Sequence, residues 1–243
     1  KKLCLANYNT KNCKNKTPKT SISEEIINQI ADIRIIPSKP LIISDADEVL
    51  FMFLKGFENF LSKNDLYLDL SKPRLNGNIK KISTDEYLKD GAMTDLMPKF
   101  FKEETENLSP IPGASESLKN LSKKCQIIVL TNISFKEKIS RVKALKKNSM
   151  NYPVITSSGL KGPVVAEICK NMSAPVFFID DLPQNIESVS KEYSKSTCIH
   201  FVQDKRLDKL MVTPKHIKHR LSKWKDVEKL ILENLFKNEK REV

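Results

Sequence analysis

Four aspartates, a threonine and a lysine, spread over more than half of the chain, are the residues whose types and spacing point to chemistry. Each stands at or near the end of a short apolar run, where a buried strand would give way to a loop. Carboxylates gathered in this way repel one another, so the folded site needs a cation or a retained proton. An all-oxygen donor set suits Mg²⁺. The six residues are Asp45, Asp47, Thr131, Lys161, Asp180 and Asp181.

The charge balance of this set favours a phosphate ligand. With Mg²⁺, the Lys161 ammonium and one carboxyl group that keeps its proton as a general acid, the site is close to neutral. A phosphate dianion can then approach a carboxylate nucleophile, and electrostatic stabilisation is the main contribution of a protein to phosphoryl transfer. Thr131 and Asn132 precede one predicted helix, and Lys161 precedes Gly162-Pro163 at the start of another. Helix starts bind phosphate oxygens, so these positions are expected to hold the phosphate.

The apolar runs that carry these residues are short, rich in β-branched side chains and stopped abruptly by polar residues, which is typical of strands buried on both faces. Helical patterns lie between them, at residues 114–124, 135–147, 164–171 and 185–193, which predicts βαβ units. We therefore expect an α/β fold: a Rossmann-like, doubly wound parallel sheet with helices on both faces. In such sheets ligands bind outside the carboxyl ends of the strands. The predicted strands cover residues 41–43, 127–130, 153–155, 176–179 and 198–202.

The segment between Asp47 and Thr131 is far longer than one crossover helix requires. We predict a small, mainly helical cap over residues 49–109, inserted after the first strand into a core domain made of residues 21–48 and 110–243. An ordinary extension of the core is the alternative. The evidence consists of an apolar stretch at 49–61, turn residues at 71–78, helical patterns around 85–88 and 96–106, and a breaker cluster at 109–113. Before the first strand, residues 21–33 are predicted to form a helix capped by Ser21 or Ser23.

Composition restricts the possible partners. The formal charge is +12, but the lysines are scattered, so nucleic acid is not an expected partner. Residues 1–20 hold six lysines and no acid, which predicts a flexible basic tail that can contact an anionic partner. Five cysteines without a C-x-x-C pair indicate free thiols in a reducing compartment, and we expect a cytoplasmic location. No apolar run is long enough for a membrane helix, so a membrane is not expected either.

Taken together, the motifs resemble those of the haloacid dehalogenase (HAD) superfamily, in its phosphatase branch. The matching stretches are I-I-S-D-A-D-E-V at 42–49, V-L-T-N at 129–132, Lys161 before Gly-Pro, and F-I-D-D-L-P-Q-N at 178–185. The resemblance spans about residues 41–202, and the insertion resembles the cap placed after the first motif in that superfamily.

This resemblance implies roles for the individual residues. Asp45 would be the nucleophile that forms an aspartyl-phosphate, and Asp47 the general acid and base. Thr131, Asn132 and Lys161 would bind the phosphoryl group. Mg²⁺ would be held by Asp45, Asp180, Asp181 and the backbone carbonyl of Asp47, while Asn185 would either steady the metal loop or simply begin a helix.

Five positions bear on specificity. A carboxylate at Asp47 favours phosphate-ester chemistry, because the dehalogenase and phosphonatase branches lack one there. Glu48 stands where many phosphatases have glycine, so its side chain either points to solvent or crowds the cap hinge. In the predicted cap, Arg74, Lys80 and Lys81 are candidates for contact with an anionic substrate tail, although lysine runs are usually solvated.

The expected activity is therefore Mg²⁺-dependent removal of phosphate from a small phosphorylated metabolite. A phosphotransferase or mutase with the same covalent intermediate is one alternative. A non-catalytic protein that binds nucleic acid or an acidic partner through its basic surface is another. The sequence does not fix the substrate or the oligomeric state.

Overall fold

The computed structural model describes residues 22–71, 75–89 and 91–239. The predicted basic tail over residues 1–20 and the candidate substrate contact Arg74 lie outside the described residues.

A six-stranded parallel sheet forms the centre of the molecule, which confirms the predicted fold class. Its strands lie in the spatial order β5-β4-β1-β6-β7-β8, and β1 pairs with β4 on one side and β6 on the other. The strands are β1 (Leu41–Ser44), β4 (Gln126–Thr131), β5 (Val154–Thr156), β6 (Val176–Asp180), β7 (Ser196–Phe201) and β8 (His219–Leu221). The short β8 strand was not predicted, because it carries two basic residues in three.

The register brings the polar strand ends to one edge of the sheet. Ser44 pairs with Val129 on β4 and with Ile179 on β6, so Asp45 follows the central strand beside the ends of both neighbours. Because parallel strands have their carboxyl ends at the same edge, Thr131 and Asp180 fall next to Asp45. This edge is where an open α/β sheet binds ligands.

Helices cover both faces of the sheet, as predicted. One face packs against α1 (Glu24–Ala31), α6 (Gly162–Ile168) and α7 (Pro183–Glu192). The other packs against α4 (Ala114–Leu121), α5 (Lys138–Lys147) and α9 (Trp224–Glu239). Alternate strand residues enter the two apolar clusters, as the period of a pleated strand requires. One further short helix, α8 (Lys205–Asp208), follows β7.

Two helices and a hairpin make up the segment between β1 and α4. They are α2 (Phe53–Lys63), the antiparallel pair β2 (Leu66–Leu68) and β3 (Ile79–Lys81), and α3 (Met93–Glu104), which a 3-10 turn at Thr105–Asn107 extends. The helix predicted around residues 85–88 is wrong. Asp85 has a φ of 57°, and the chain doubles back there so that the Lys81 N–H donates to the Glu86 carbonyl at 2.9 Å.

This segment packs continuously with the rest of the core. Phe57 and Phe100 meet edge to face with ring centroids 5.2 Å apart, which joins α2 to α3. Both rings belong to the same apolar cluster as strand residues such as Ile42 and Val129. On the surface, Arg206 of α8 makes two contacts with the Glu58 carboxylate of α2, at 2.7 and 3.1 Å.

Helix ends agree with the predicted pattern to within a few residues. Ser23, rather than Ser21, caps α1, because its hydroxyl accepts the Ile26 N–H at 3.4 Å. The predicted helix over residues 135–147 begins with a 3-10 turn at Phe135–Glu137 before α5. Among the described residues no helix combines the length and apolarity needed to cross a bilayer.

Candidate active site

A buried lysine links two carboxylates of the predicted site, the nucleophile and a metal ligand. The Lys161 ammonium lies 2.7 Å from Asp45 Oδ1 and 2.7 Å from Asp180 Oδ2, and its side chain is fully buried. Burial alone would lower the pKa of Lys161, but the Asp180 and Asp45 carboxylates outweigh it and raise that pKa above its ordinary value. Lys161 is therefore charged and holds together the ends of β1 and β6.

Close packing at the start of α6 positions Lys161. The next residue, Gly162, lies so near α7 that a Cβ added there would stand 2.6 Å from the Ser188 backbone oxygen. Pro163 occupies the first turn of α6, where it fits without loss of a backbone hydrogen bond. Only glycine permits this approach, so the contact between α6 and α7 fixes the lysine.

Asn132 fixes the same loop from the other side. Its amide donates to the Gly159 carbonyl at 2.8 Å and its carbonyl accepts the Ser157 hydroxyl at 2.8 Å. The side chain predicted to bind phosphate is thus engaged with the loop that leads to Lys161. Contact of Asn132 with a phosphate remains a prediction.

The third carboxylate, Asp181, completes a cluster with Asp45 and Asp180. One carboxylate oxygen from each lies within 4.8 Å of the others, and all three residues are buried. Burial is the largest cause that raises the pKa of Asp45 to about 6 and the pKa of Asp181 well above its usual range. Three carboxylates ionised together beside a single lysine charge would be strongly unfavourable without a further cation. Three hard oxygen donors at this spacing fit a divalent cation such as Mg²⁺.

Two side chains hold the loop that carries Asp180 and Asp181. The Asn185 amide donates to both oxygens of Asp180, at 3.1 and 3.2 Å, so Asn185 supports the carboxylate cluster besides standing in the first turn of α7. His200 is buried, and burial lowers its pKa to about 4. The ring is therefore neutral, and Nε2–H donates to the Asp181 carbonyl while Nδ1 accepts from Thr213. Sequence analysis missed His200, since a lone histidine in a strand gives no signal.

Thr131 presents a buried hydroxyl to this site. It is the last residue of β4 and is fully buried. Within the described part of the chain its Oγ1 has no hydrogen-bond partner. Because buried polar groups are almost always satisfied, an orphaned hydroxyl at the sheet edge that carries Asp45 and Asp180 is a marker of ligand binding.

Asp47 faces a residue that sequence analysis did not identify. Its Oδ1 lies 2.6 Å from Arg141 Nη2, and the arginine side chain is fully buried in α5. Burial raises the pKa of Asp47, while the Arg141 charge opposes that rise. The Asp47 side chain is not part of the carboxylate cluster. Contact of its backbone carbonyl with a metal remains a prediction.

Glu48 points inward, which excludes the expectation that it faces solvent. Its carboxylate accepts the Leu54 N–H at 2.6 Å, at the start of α2, and its backbone has a φ of 58°. Burial raises its pKa to about 7. The residue ties the turn after β1 to the first helix of the insertion.

The lysines of the hairpin differ in their surroundings. Lys80 lies over the Tyr87 ring at 4.7 Å and 3.2 Å from the Asp85 carboxylate, so its charge is already balanced. Lys81 is exposed. Contact of either lysine with a substrate remains a prediction.

Solved structures of HAD-like proteins share this fold. A haloacid dehalogenase-like family hydrolase from Streptococcus pneumoniae is 12% identical, with a TM-score of 0.56 over 80% of this chain and 99% of that one. The magnesium-bound HAD-hydrolase YfnB from Bacillus subtilis is also 12% identical, with a TM-score of 0.57 over 79% and 98% of the two chains. A HAD family hydrolase from Deinococcus radiodurans with bound phosphate and sodium is 11% identical, with a TM-score of 0.54 over 81% and 96%. No curated protein sequence matches the chain.

The family to which the chain belongs follows from its sequence. The model of the family described as 5′ nucleotidase, deoxy (pyrimidine), cytosolic type C protein (NT5C) matches residues 39–236, from just before β1 into α9. The match covers every residue of the site described above and confirms the resemblance to HAD phosphatases. The chain is therefore a HAD-superfamily phosphatase and a member of the 5′ nucleotidase, deoxy (pyrimidine), cytosolic type C family.

Proposed function

We propose that the protein is a Mg²⁺-dependent phosphohydrolase that removes phosphate from a small phosphorylated metabolite through an aspartyl-phosphate on Asp45. One observation carries the proposal: the Lys161 ammonium contacts Asp45 and Asp180 within a buried three-carboxylate cluster. The unpartnered hydroxyl of Thr131 supports it.

The contacts of Asp45 indicate which oxygen attacks. Its Oδ1 accepts from the Lys161 ammonium and from the Ala46 N–H at 2.7 Å. Oδ2 is then the oxygen that forms the bond to phosphorus as the bond to the leaving oxygen breaks. Asp47 gives its proton to that leaving oxygen.

Hydrolysis of the intermediate uses the same residues. Asp47 takes a proton from a water molecule, the water oxygen bonds to phosphorus, and the bond to Asp45 Oδ2 breaks to release phosphate. Lys161 and Thr131 hold the phosphoryl oxygens through both steps. Mg²⁺, held by Asp45, Asp180 and Asp181, would neutralise charge on the phosphoryl group and lower the pKa values of the carboxyl groups that bind it.

The family match suggests a substrate class. Its description names a 5′ nucleotidase and carries the words deoxy and pyrimidine. We infer that deoxynucleoside 5′-monophosphates are the first substrates to test. The insertion between β1 and α4, which we propose acts as a cap, would then determine which base and sugar fit.

Phosphate release is the direct test. We expect turnover of p-nitrophenyl phosphate with Mg²⁺, no turnover in EDTA, and a loss of at least about a thousandfold for Asp45→Asn. Deoxypyrimidine monophosphates should give a higher kcat/KM than sugar phosphates of similar size. Three equal rates in the first comparison would contradict the proposal. Transfer of phosphate to an added alcohol, with little release to water, would favour the phosphotransferase alternative.

The binding-protein alternative has a separate signature. It would show salt-sensitive binding to nucleic acid with no turnover of any phosphate ester.

We also infer a cytoplasmic location, because Cys125, Cys169 and Cys198 are buried free thiols. Cell fractionation with an antibody to the protein tests that inference.

A further inference from the structure

Arg141 is a buried charge whose interactions the catalytic set leaves unexplained. Its helix, α5, is otherwise lysine-rich, yet the Arg141 side chain has no exposed surface. A buried guanidinium is highly unfavourable unless it is paired. Among the described residues, its recorded ion pair and hydrogen bond both go to Asp47 Oδ1, at 2.6 Å.

Two of its donors have no partner among the residues that the structure describes. Nε and Nη1 are buried and, within the described part of the chain, make no hydrogen bond. A buried donor without a partner is unfavourable, because it gives up its hydrogen bonds to water and gains none in the fold. An arginine that served only stability would have these donors hydrogen-bonded. The two unpartnered donors therefore point to a role of Arg141 in function.

The turn that carries Asp47 also restrains the guanidinium. Phe51 lies under it, with Arg141 Cζ 5.3 Å from the ring centroid. Phe51 is itself fixed to that turn, because its N–H donates to the Ala46 carbonyl at 2.9 Å and its carbonyl accepts the Glu48 N–H at 2.8 Å. The position of Arg141 relative to Asp47 is thus set from two sides.

We propose that Arg141 is a positioning residue for leaving-group protonation, acting through Asp47. By occupying Oδ1 it leaves Oδ2 as the oxygen that carries the proton and gives it to the ester oxygen as the bond to phosphorus breaks. The inference rests on the proposed function, because it requires Asp47 to act as the acid.

Two phosphate esters of similar size separate this role from a purely structural one. Benzyl phosphate leaves as an alkoxide and needs the proton, whereas p-nitrophenyl phosphate leaves as a stable phenolate and hardly needs it. The kcat/KM value reports only the steps up to departure of the leaving group, so the later role of Asp47 does not obscure the comparison. For Arg141→Met with Mg²⁺ we expect kcat/KM to fall by about a hundredfold on benzyl phosphate and by less than about tenfold on p-nitrophenyl phosphate.

Three further variants sharpen the test. Arg141→Lys keeps the charge and should recover part of the benzyl phosphate activity, and it carries the test if Arg141→Met does not fold. In an Asp47→Asn background, Arg141→Met should cause no further loss on benzyl phosphate, since both changes remove the same function. Lys143→Met removes an exposed cation from the same helix, where it pairs with Glu106 at 3.2 Å. This variant should leave kcat/KM unchanged on both esters.

The outcomes are distinct. Equal losses on both esters in a folded Arg141 variant, or an additive loss with Asp47→Asn, would overturn the inference while leaving the proposed function intact. A wild-type protein that hydrolyses neither ester would instead contradict the proposed function itself.

Discussion

Lys161 shares one ammonium between two buried carboxylates. Replacing it by methionine would leave Asp45 and Asp180 buried without the positive charge of the lysine. We expect Lys161→Met to lower the free energy of unfolding by about 3–5 kcal/mol in EDTA. Added Mg²⁺ should restore part of that stability but not the activity. Urea denaturation with and without Mg²⁺ measures the two changes in stability, and p-nitrophenyl phosphate turnover measures the activity. A Lys161→Met variant as stable as wild type in EDTA would contradict the assigned charge balance.

Glu48 predicts a pH dependence of stability. Burial raises its pKa from 4.5 to about 7, so the folded protein binds this proton more tightly than the unfolded chain does. The resulting stabilisation is complete below pH 4.5 and is lost as the pH rises through 7. In EDTA, as the pH rises from below 4.5 to above 7, the free energy of unfolding of wild type should fall by about 3 kcal/mol relative to that of Glu48→Gln. The glutamine can still accept the Leu54 N–H. Parallel stability curves for the two proteins would refute this.

At the residue scale, sequence found the carboxylates and the lysine because each follows a strand or precedes a helix. It could not find Arg141, which reads as one more cation in a basic helix and meets Asp47 only through tertiary packing. Nor could it fix the direction of Glu48. That direction depends on a left-handed backbone that the neighbouring turn imposes on a residue other than glycine.

The contact between α6 and α7 leads to a prediction about elements. Gly162→Ala would place a methyl group 2.6 Å from the Ser188 backbone oxygen, so the helices must separate. We expect the free energy of unfolding to fall by about 1–3 kcal/mol. Phosphatase activity should fall as well, because Lys161 precedes the displaced turn. Thermal unfolding and p-nitrophenyl phosphate turnover measure these.

A second glycine provides the matched control. Gly91 has a φ of 93° and open space around its missing Cβ, so Gly91→Ala adds backbone strain without a clash. It should lower stability by about 1 kcal/mol and leave turnover unchanged. Equal activity losses in the two variants would show that the α6–α7 contact does not position the site.

The strands and helices of the core were predictable because apolar residues fill most of each strand, recur with helical spacing between the strands, and are bounded by clear breakers. The hairpin β2–β3 was not, since each strand has three residues and its pairing is a tertiary contact. The helical pattern predicted at 96–106 corresponds to α3, although Pro98 lies inside that helix; Phe100, two residues later, is held by aromatic packing against α2. Such packing overrides local preference, and single-sequence patterns do not contain it.

At the scale of the whole molecule, metal binding and folding should be coupled. The carboxylate cluster exists only in the folded chain, so a cation that binds it stabilises that state. We expect Mg²⁺ at about a hundred times its Kd to add about 2.7 kcal/mol to the stability of wild type, with little effect on Asp181→Asn. Asp226→Asn removes an exposed acid from α9 and should respond as wild type does. An unchanged melting temperature on addition of Mg²⁺ to wild type would contradict a preformed metal site.

The only tryptophan in the chain also reports on the whole molecule. The indole N–H of Trp224, fully buried at the start of α9, donates to the Val49 carbonyl at 2.8 Å, two residues after Asp47. The protein thus contains an intrinsic fluorophore that is hydrogen-bonded to the loop after Asp47. Binding of orthovanadate or product at the active site should alter the emission of Trp224. Transient-state kinetics could then be measured without an attached dye.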